Sequence, residues 1–427
     1  MRSSKRFRGL LAAAAVAVVA GSTSCSAGSP DSGGAVNLSL MIWDPAQTAG
    51  VQKAVDAFEA ANPNIAVALE QVPQDQYYTK LDASLGAGEG PDVMWQSSRA
   101  PDYVDGGALE PLNEYIERDV VSLDAYPKEL TGLYEFDGQQ YGVPKDQDAW
   151  TFVYNAAVFE ELGVADVPTA GWTWADMVRI AEEVKSKQTS PADVPLYYDY
   201  QFNNGVSSLI HSLGGDVVVD GQATVSSPQG TRALETVKDL QDRELIPRIA
   251  DSADFDAVSS LISGTVAIAE IPSWNLSLLS KADVPAGTFH VVRAPSVDGA
   301  WATDTNGLAY VMNANSSHKE EAWQLIKFLT SDAGAVLHAE GGASPPANVS
   351  GDALAAFVDA NDALAGLADA LSATHEQSYL RTSTEYPATR SSLPEIDSTV
   401  MGPFYAGSLS PSEAAAKIDE ILDGALR

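Results

Sequence analysis

One cysteine in 427 residues rules out an internal disulfide, and that residue, Cys25, precedes every patterned segment. Basic side chains are also scarce. Lys and Arg number 25 against 58 Asp and Glu, a formal charge of -33, or -37 with Arg2, Lys5, Arg6 and Arg8 set aside. A surface this acidic repels phosphate backbones and anionic lipid, so nucleic acid is excluded as a partner and membrane contact needs an anchor. The five histidines, His211, His290, His318, His338 and His375, show neither HExxH nor HxH spacing, so no metal and no cofactor is expected. No Gly-x-Ser-x-Gly elbow and no Walker loop occurs. The longest apolar run, Leu10 to Ala20, falls short of the roughly 20 residues that a spanning helix needs.

Residues 1–24 have the form of an export signal, with a basic stretch from Arg2 to Arg8 followed by that apolar run. Residues 25–36 contain Ser26-Ala-Gly-Ser-Pro-Asp-Ser-Gly-Gly34, a flexible tether by composition. A single Cys between a signal and a tether resembles a bacterial lipoprotein, which implies cleavage before Cys25 and lipid on its thiol. Ser22 stands three places before the Cys, where lipoprotein signals carry Leu, so ordinary cleavage and release is the alternative.

The chain exceeds what one core serves, since cores stop growing near ~250–300 residues, and its 45% apolar content is enough to fill two. Leu38, Leu40 and Ile42 alternate into Trp43-Asp44, Val51, Val55 and Phe58 follow at helical spacing, and Ile65, Val67 and Leu69 alternate again. This is a βαβ unit with a right-handed crossover. Pro91-Asp-Val-Met-Trp-Gln96 reads as a third strand. Ligands of open α/β sheets sit beyond the carboxyl ends of strands, here Trp43-Asp44 and Gln96-Ser97. Gly86-Ala-Gly88-Glu-Gly90 follows a helix and lacks phosphate-loop spacing, so it reads as helix termination.

Gly138 to Asn155 reads extended, polar, extended. Pro144 bars a helix, Lys145 to Asp148 is polar, and Trp150, Phe152 and Tyr154 alternate. A chain that leaves one sheet and enters another has this pattern, and a hinge is expected from Pro144 to Trp150. Thr173 and Asp176 form a capping box that opens a helix with Met177, Ile180 and Val184 on its apolar face. Gly264 to Ile271 is a buried strand leading to Pro272-Ser273-Trp274-Asn275, where Ser273 is expected to cap the next helix. Ser410-Pro-Ser-Glu413 opens the last helix. Trp172, Trp174 and Trp323 lie on or beside amphipathic helices and are expected in the core.

Nine stretches carry a resemblance: Ile42-Trp-Asp44, Val55-Asp-Ala-Phe-Glu-Ala-Ala-Asn-Pro63, Gly90-Pro-Asp-Val-Met94, Leu109-Glu-Pro-Leu112, Tyr141-Gly-Val-Pro144, Val153-Tyr-Asn155, Trp172-Thr-Trp174, Gly264-Thr-Val-Ala267 and Ala322-Trp-Gln-Leu-Ile-Lys-Phe-Leu329. In this order the chain resembles the extracellular solute-binding proteins of bacterial ABC importers, family 1, the maltose- and sugar-binding type. The resemblance implies an α/β, two-lobed periplasmic-binding-protein-like fold. Each lobe is then a mainly parallel sheet flanked by helices, with the ligand cleft between them. It implies a first lobe of 37–146 and 304–343 and a second of 147–303 and 344–427, with Ser344-Pro-Pro-Ala347 at a recrossing. It implies a binding protein without catalysis that captures a mono- or oligosaccharide by lobe closure and delivers it to the permease. A monomer outside the cytoplasm, held to the membrane only by lipid, is expected. The ligand residues expected are Trp43, Asp44, Gln96, Ser97, Asp146, Asp148, Tyr200, Trp274, Asn275, Asn306 and Arg381. The aromatic candidates suit sugar rings and the acids are spread along the chain, so a neutral polar ligand is expected. The alternative is a secreted glycoside hydrolase, since 58 acids supply many accidental carboxylate pairs.

Overall fold

Leu38, Leu40 and Ile42 are all within 1% of complete burial in the computed structural model, which describes residues 35–248, 255–348 and 351–427. The expected export signal and Cys25 lie outside the described residues. These three side chains belong to β1 (Val36–Ile42), where the period of two sends alternate residues into the core. α1 (Thr48–Ala61) buries Val51, Val55 and Phe58 and stops at Asn62, whose side-chain amide donates to the Phe58 carbonyl just before Pro63. β2 (Ile65–Gln71) then pairs with β1 in parallel along its whole length. α2 (Gln74–Gly86) ends in the glycine run, with Gly88 at φ +76°, and β3 (Val93–Gln96) pairs with the other side of β1. Helix termination is therefore what that glycine run does.

The chain continues through β4 (Gly142–Pro144), β5 (Trp150–Asn155), α3 (Trp174–Lys187), β6 (Val194–Tyr197), α4 (Pro228–Asp242), β7 (Val266–Pro272) and β8 (Phe289–Val292). β9 (Thr303–Thr305), β10 (Ala309–Met312), α5 (Lys319–Leu329), β11 (Ser378–Leu380) and α6 (Pro411–Leu426) follow. Both expected capping boxes form. The Thr173 hydroxyl accepts from Asp176 N while the Asp176 carboxylate accepts from Thr173 N, and Ser410 and Glu413 repeat the exchange at α6.

Two main sheets result. The first has the order β2-β1-β3-β10-β4 and the second β8-β5-β7-β6. In the first, β1 to β4 share one direction and only β10 opposes them. In the second, β6, β7 and β8 share a direction and only β5 opposes them. The reversed strand in each case is the one that arrives from the other sheet. Strands of βαβ units end at the edge facing the partner sheet, whereas a strand entering there must start at that edge and run the other way.

Each sheet has its own core. Residues from Leu38 to Val143 join Leu308 to Ala347 around the first. The second sheet is buried on both faces, with Phe152, Tyr154 and Ile268 on one side and Val153, Ala269 and Ile271 on the other. Trp172 and Trp323 are buried as expected, donating from Nε1 to the Arg293 carbonyl and the Asp119 carboxylate. Trp174 is only half-buried, edge-on to Tyr198 at 5.2 Å. No helix among the described residues is long and apolar enough to cross a membrane.

Candidate binding cleft

Three segments pass side by side between the sheets. Lys145 N donates to Leu308 O at 2.8 Å, Asp148 N to Asn306 O at 2.7 Å, Gln147 N to Pro345 O at 3.1 Å and Ala347 N to Lys145 O at 3.2 Å. The 345–347 recrossing therefore lies directly against the 145–148 crossing. Gly307 is required here, because a Cβ would come within 2.5 Å of the Asp146 carbonyl.

Asp146 ties the three segments together. Its carboxylate accepts from Leu308 N at 2.7 Å and from the Ser344 hydroxyl at 3.0 Å, and it pairs with the Lys145 ammonium. Lys145 also donates to Gln47 Oε1 at 2.8 Å and lies 4.0 Å over the Trp95 ring. Both oxygens of Asp146 are thus occupied within the protein, and the side chain acts as a clasp. Asp148, two residues on, lies beside Asp146, Asp304, Lys145 and Arg381. Burial first, and the Asp146 charge second, push its carboxyl up to about 7.

Trp43 follows β1 and is 8% exposed, edge-on to Tyr77 at 4.9 Å and to Trp95 at 5.3 Å. Asp44 caps the next turn, accepting from Ala46 N at 2.9 Å and from the Gln47 amide at 3.0 Å. Gln96, at the end of β3, is fully buried, and neither atom of its amide has a partner in the protein. Ser97 opens a cavity of about 350 Å³ lined by Ser98, Lys128 and Phe136 on the side of the first sheet and by Leu380, Thr384 and Pro387 on the other.

On the far side of the crossing, Asp304 is completely buried on β9, which pairs in parallel with β11. Arg381, just past β11, donates from Nε to Asp304 Oδ2 at 2.5 Å, and its backbone N–H reaches the Thr305 carbonyl. Asp304 Oδ1 and the Arg381 Nη2 have no partner in the protein. Asn306 is 5% exposed and accepts from the Thr384 hydroxyl at 3.3 Å. Trp274 is half-buried and meets Trp150 edge-on at 5.6 Å, while the buried Trp150 Nε1 also lacks a partner. Asn275 is half-buried beside it.

The expected cap at Ser273 does not form. Its hydroxyl accepts instead from Ala149 N at 3.1 Å, and its own N–H reaches the Ala149 carbonyl, because the end of β7 is drawn onto the crossing. Tyr200 is half-buried beside the second core. Its ring lies 6.0 Å from Tyr405, whose hydroxyl donates to the Tyr200 carbonyl, so it packs on the helical side of the second sheet. The structure thus gathers Asp146, Asp148, Asn306 and Arg381 at the crossing, with Trp274 beside it on Trp150. Sequence reasoning missed Lys145, Trp150 and Asp304. A lone charge alternating with threonines in Thr303-Asp304-Thr305 was the available signal for Asp304. Among the described residues no group of three or more His, Cys, Asp or Glu is placed to hold a metal ion.

Residues 43–336 match the family model of the bacterial extracellular solute-binding proteins. The chain belongs to that family. A binding protein of Brucella abortus is 27% identical over 286 residues, which is 64% of this chain and 66% of that protein. The lactose-binding protein of Rhizobium radiobacter is 25% identical over 302 residues, 67% of this chain and 68% of that one. Among solved structures, an ABC substrate-binding protein of Listeria monocytogenes in complex with cycloalternan superposes with a TM-score of 0.77 at 20% identity, covering 91% of this chain and 98% of that one. The two-lobed fold is that of the extracellular solute-binding family. The chain spans just under two thirds of the length of the Brucella relative. Members of this family bind solutes, and the glycoside-hydrolase alternative has no support among these relatives.

Proposed function

We propose that this chain is the solute-binding component of an ABC importer, that it holds a mono- or oligosaccharide between its lobes, and that lobe closure presents the loaded form to the permease. The observation that carries this reading is a set of buried polar atoms without partners at the crossing, Asp304 Oδ1, the Arg381 Nη2 and Trp150 Nε1, beside the aromatic pair of Trp150 and Trp274, together with the unpartnered Gln96 amide at the end of β3. An unpaired buried polar group costs about 1–3 kcal/mol, so a cluster of them favours a partner from outside. A saccharide offers both halves of the match, hydroxyls around its rim and C–H patches on its faces. Lactose and cycloalternan, the sugars named for the two similar proteins, belong to this class.

Ligand contacts are proposed for Gln96, Ser97, Asp148, Trp274, Asn275, Asn306 and Arg381, with Trp43, Asp44 and Asp146 shaping their surroundings. The moving bodies are proposed to be 37–146 with 304–343, and 147–303 with 344–427, acting as a monomer. Ligand groups that bridge the two bodies favour the closed form by their differential free energy. A thermal-shift and titration series over lactose, maltotriose and monosaccharides tests the reading, because a ligand of the folded state raises apparent stability by mass action. Trp274→Ala is expected to weaken binding tenfold to a hundredfold, from a stacking loss of about 1–3 kcal/mol. Its unfolding midpoint should stay near that of the parent. A large drop in midpoint with unchanged affinity would show that Trp274 only supports Trp150.

Cys25 is proposed as the mature terminus carrying lipid, which would hold the chain to the outer face of the cell membrane. Mass spectrometry of membrane-derived protein should find a diacylated Cys25. A terminus elsewhere, or a free thiol, refutes it.

A further inference from the structure

Away from the crossing segments, the described residues supply one ion pair between the two lobes. Arg390 lies in the turn Pro387–Ser392, which packs against α6 on the second lobe. Its guanidinium donates to the Ser98 carbonyl and, at 3.0 Å, to the Asp102 carboxylate, both on the first lobe. Ser98 and Pro387 also line the 350 Å³ cavity, so the pair spans the rim of the gap that the ligand would enter.

Two features distinguish this contact from an incidental surface pair. The bond to the Ser98 carbonyl, together with the one to Asp102, fixes the planar guanidinium at two points and demands a particular lobe separation. Asp102 also keeps a partner when the lobes part, because Arg99 of its own lobe stands 3.5 Å away, with its guanidinium 4.5 Å over the Tyr78 ring. Side-chain exposures of 31% for Arg390 and 50% for Asp102 mean that neither charge is stranded on opening. The contact is therefore built to break and re-form at low cost.

We propose that Arg390 is a latch that sets how long the cleft stays closed, acting as a positioning residue and not as a ligand contact. The proposal rests on closure as the working motion and goes beyond it by assigning the closed state's lifetime to one side chain. A contact made only when the lobes are together favours the closed form with or without ligand. Ligand dissociation then requires the latch to open, while association is governed by the fraction already open.

The test is an interlobe distance in the full chain carrying Cys25→Ser, with spin labels at Asp105→Cys and Glu420→Cys, both exposed positions on opposite lobes. Without saccharide, the parent should give a short, narrow distance distribution. Arg390→Gln and Asp102→Asn should each lengthen and broaden it, and the double variant should do no more than either single one. Raising NaCl from low to high concentration should shift the parent the same way and leave Arg390→Gln unmoved, since an exposed pair is screened. In stopped-flow experiments with maltotriose and lactose, Arg390→Gln should raise the dissociation rate about threefold to tenfold. A purely structural role would lower the unfolding midpoint without changing the distances. Distance distributions identical between parent and both variants overturn the latch. If neither sugar binds the parent, the saccharide reading fails, and the unliganded distances still decide the latch.

Discussion

Arg381→Met is expected to cost about 3–5 kcal/mol of stability, because it strands the fully buried Asp304 without its cation. Moving a carboxylate out of water is repaid only where a paired charge and hydrogen bonds replace the lost hydration. Here the repayment comes through one bond, from Arg381 Nε at 2.5 Å, since Asp304 Oδ1 is already unpartnered. Methionine keeps the length and apolar volume of the arginine stem, so the loss reports charge and not a cavity. Arg381→Met with Asp304→Asn should recover most of the loss, as removing both charges removes the stranded one. Equilibrium urea unfolding of parent, single and double variants measures the coupling. A double variant whose cost equals the sum of the Arg381→Met and Asp304→Asn costs would show that the pair carries no energetic link. The same arginine leaves Nη2 free, so the single variant should also lose saccharide affinity in the fraction that stays folded.

The βαβ units and the crossing could be read from sequence because each depends on short-range chemistry. Thr173 and Ser410 announce helix starts with side chains three residues from their partners, and Pro144 with the alternation of Trp150, Phe152 and Tyr154 marks an extended entry into a second sheet. The site was only partly readable because it is made by contacts over long separations. Asp304 meets Arg381 across 77 positions, and Asp146 meets Ser344 across 198. Asp146 and Asp148 look equivalent on paper as two acids in one polar run. In the fold one is consumed by Lys145, Leu308 N and Ser344, while the other faces a cluster holding more acids than bases. Tyr200 shows the same limit, because an aromatic after a short strand fits a cleft or a helical flank equally well, and its contact with Tyr405 spans 205 positions.

Asp148→Asn is expected to stabilise the protein at pH 8 by about 4 kcal/mol and to change it little near pH 4. The groups that face this carboxyl are Lys145 and Asp146 on its own segment, Asp304 on β9, Arg381 beyond β11, and the buried Tyr134. Three carboxylates there meet two cations, so one negative charge is left uncompensated. That excess and burial hold Asp148 at about 7, against 3.8 for an exposed aspartate. The sign follows from proton counting. Between these two values the folded state binds more protons than the unfolded one, so the contribution of this group is fully present below pH 3.8 and is lost as pH rises through 7. Asparagine keeps the shape and cannot ionise, so it escapes the loss. The buried Glu270 and Asp199 are also pushed upward by burial, but they titrate in both proteins and cancel in the difference. Urea unfolding of the two proteins at pH 4, 6, 7 and 8 therefore isolates Asp148, and a gap that widens with pH is the expected result. A gap that is constant across the series would mean that the carboxyl ionises freely at the crossing. The excess charge also bears on ligand choice, since a saccharide hydroxyl donating to ionised Asp148 lowers the cost of its charge. Saccharide should then protect the parent more strongly at pH 8 than at pH 5, and Asp148→Asn should abolish that difference.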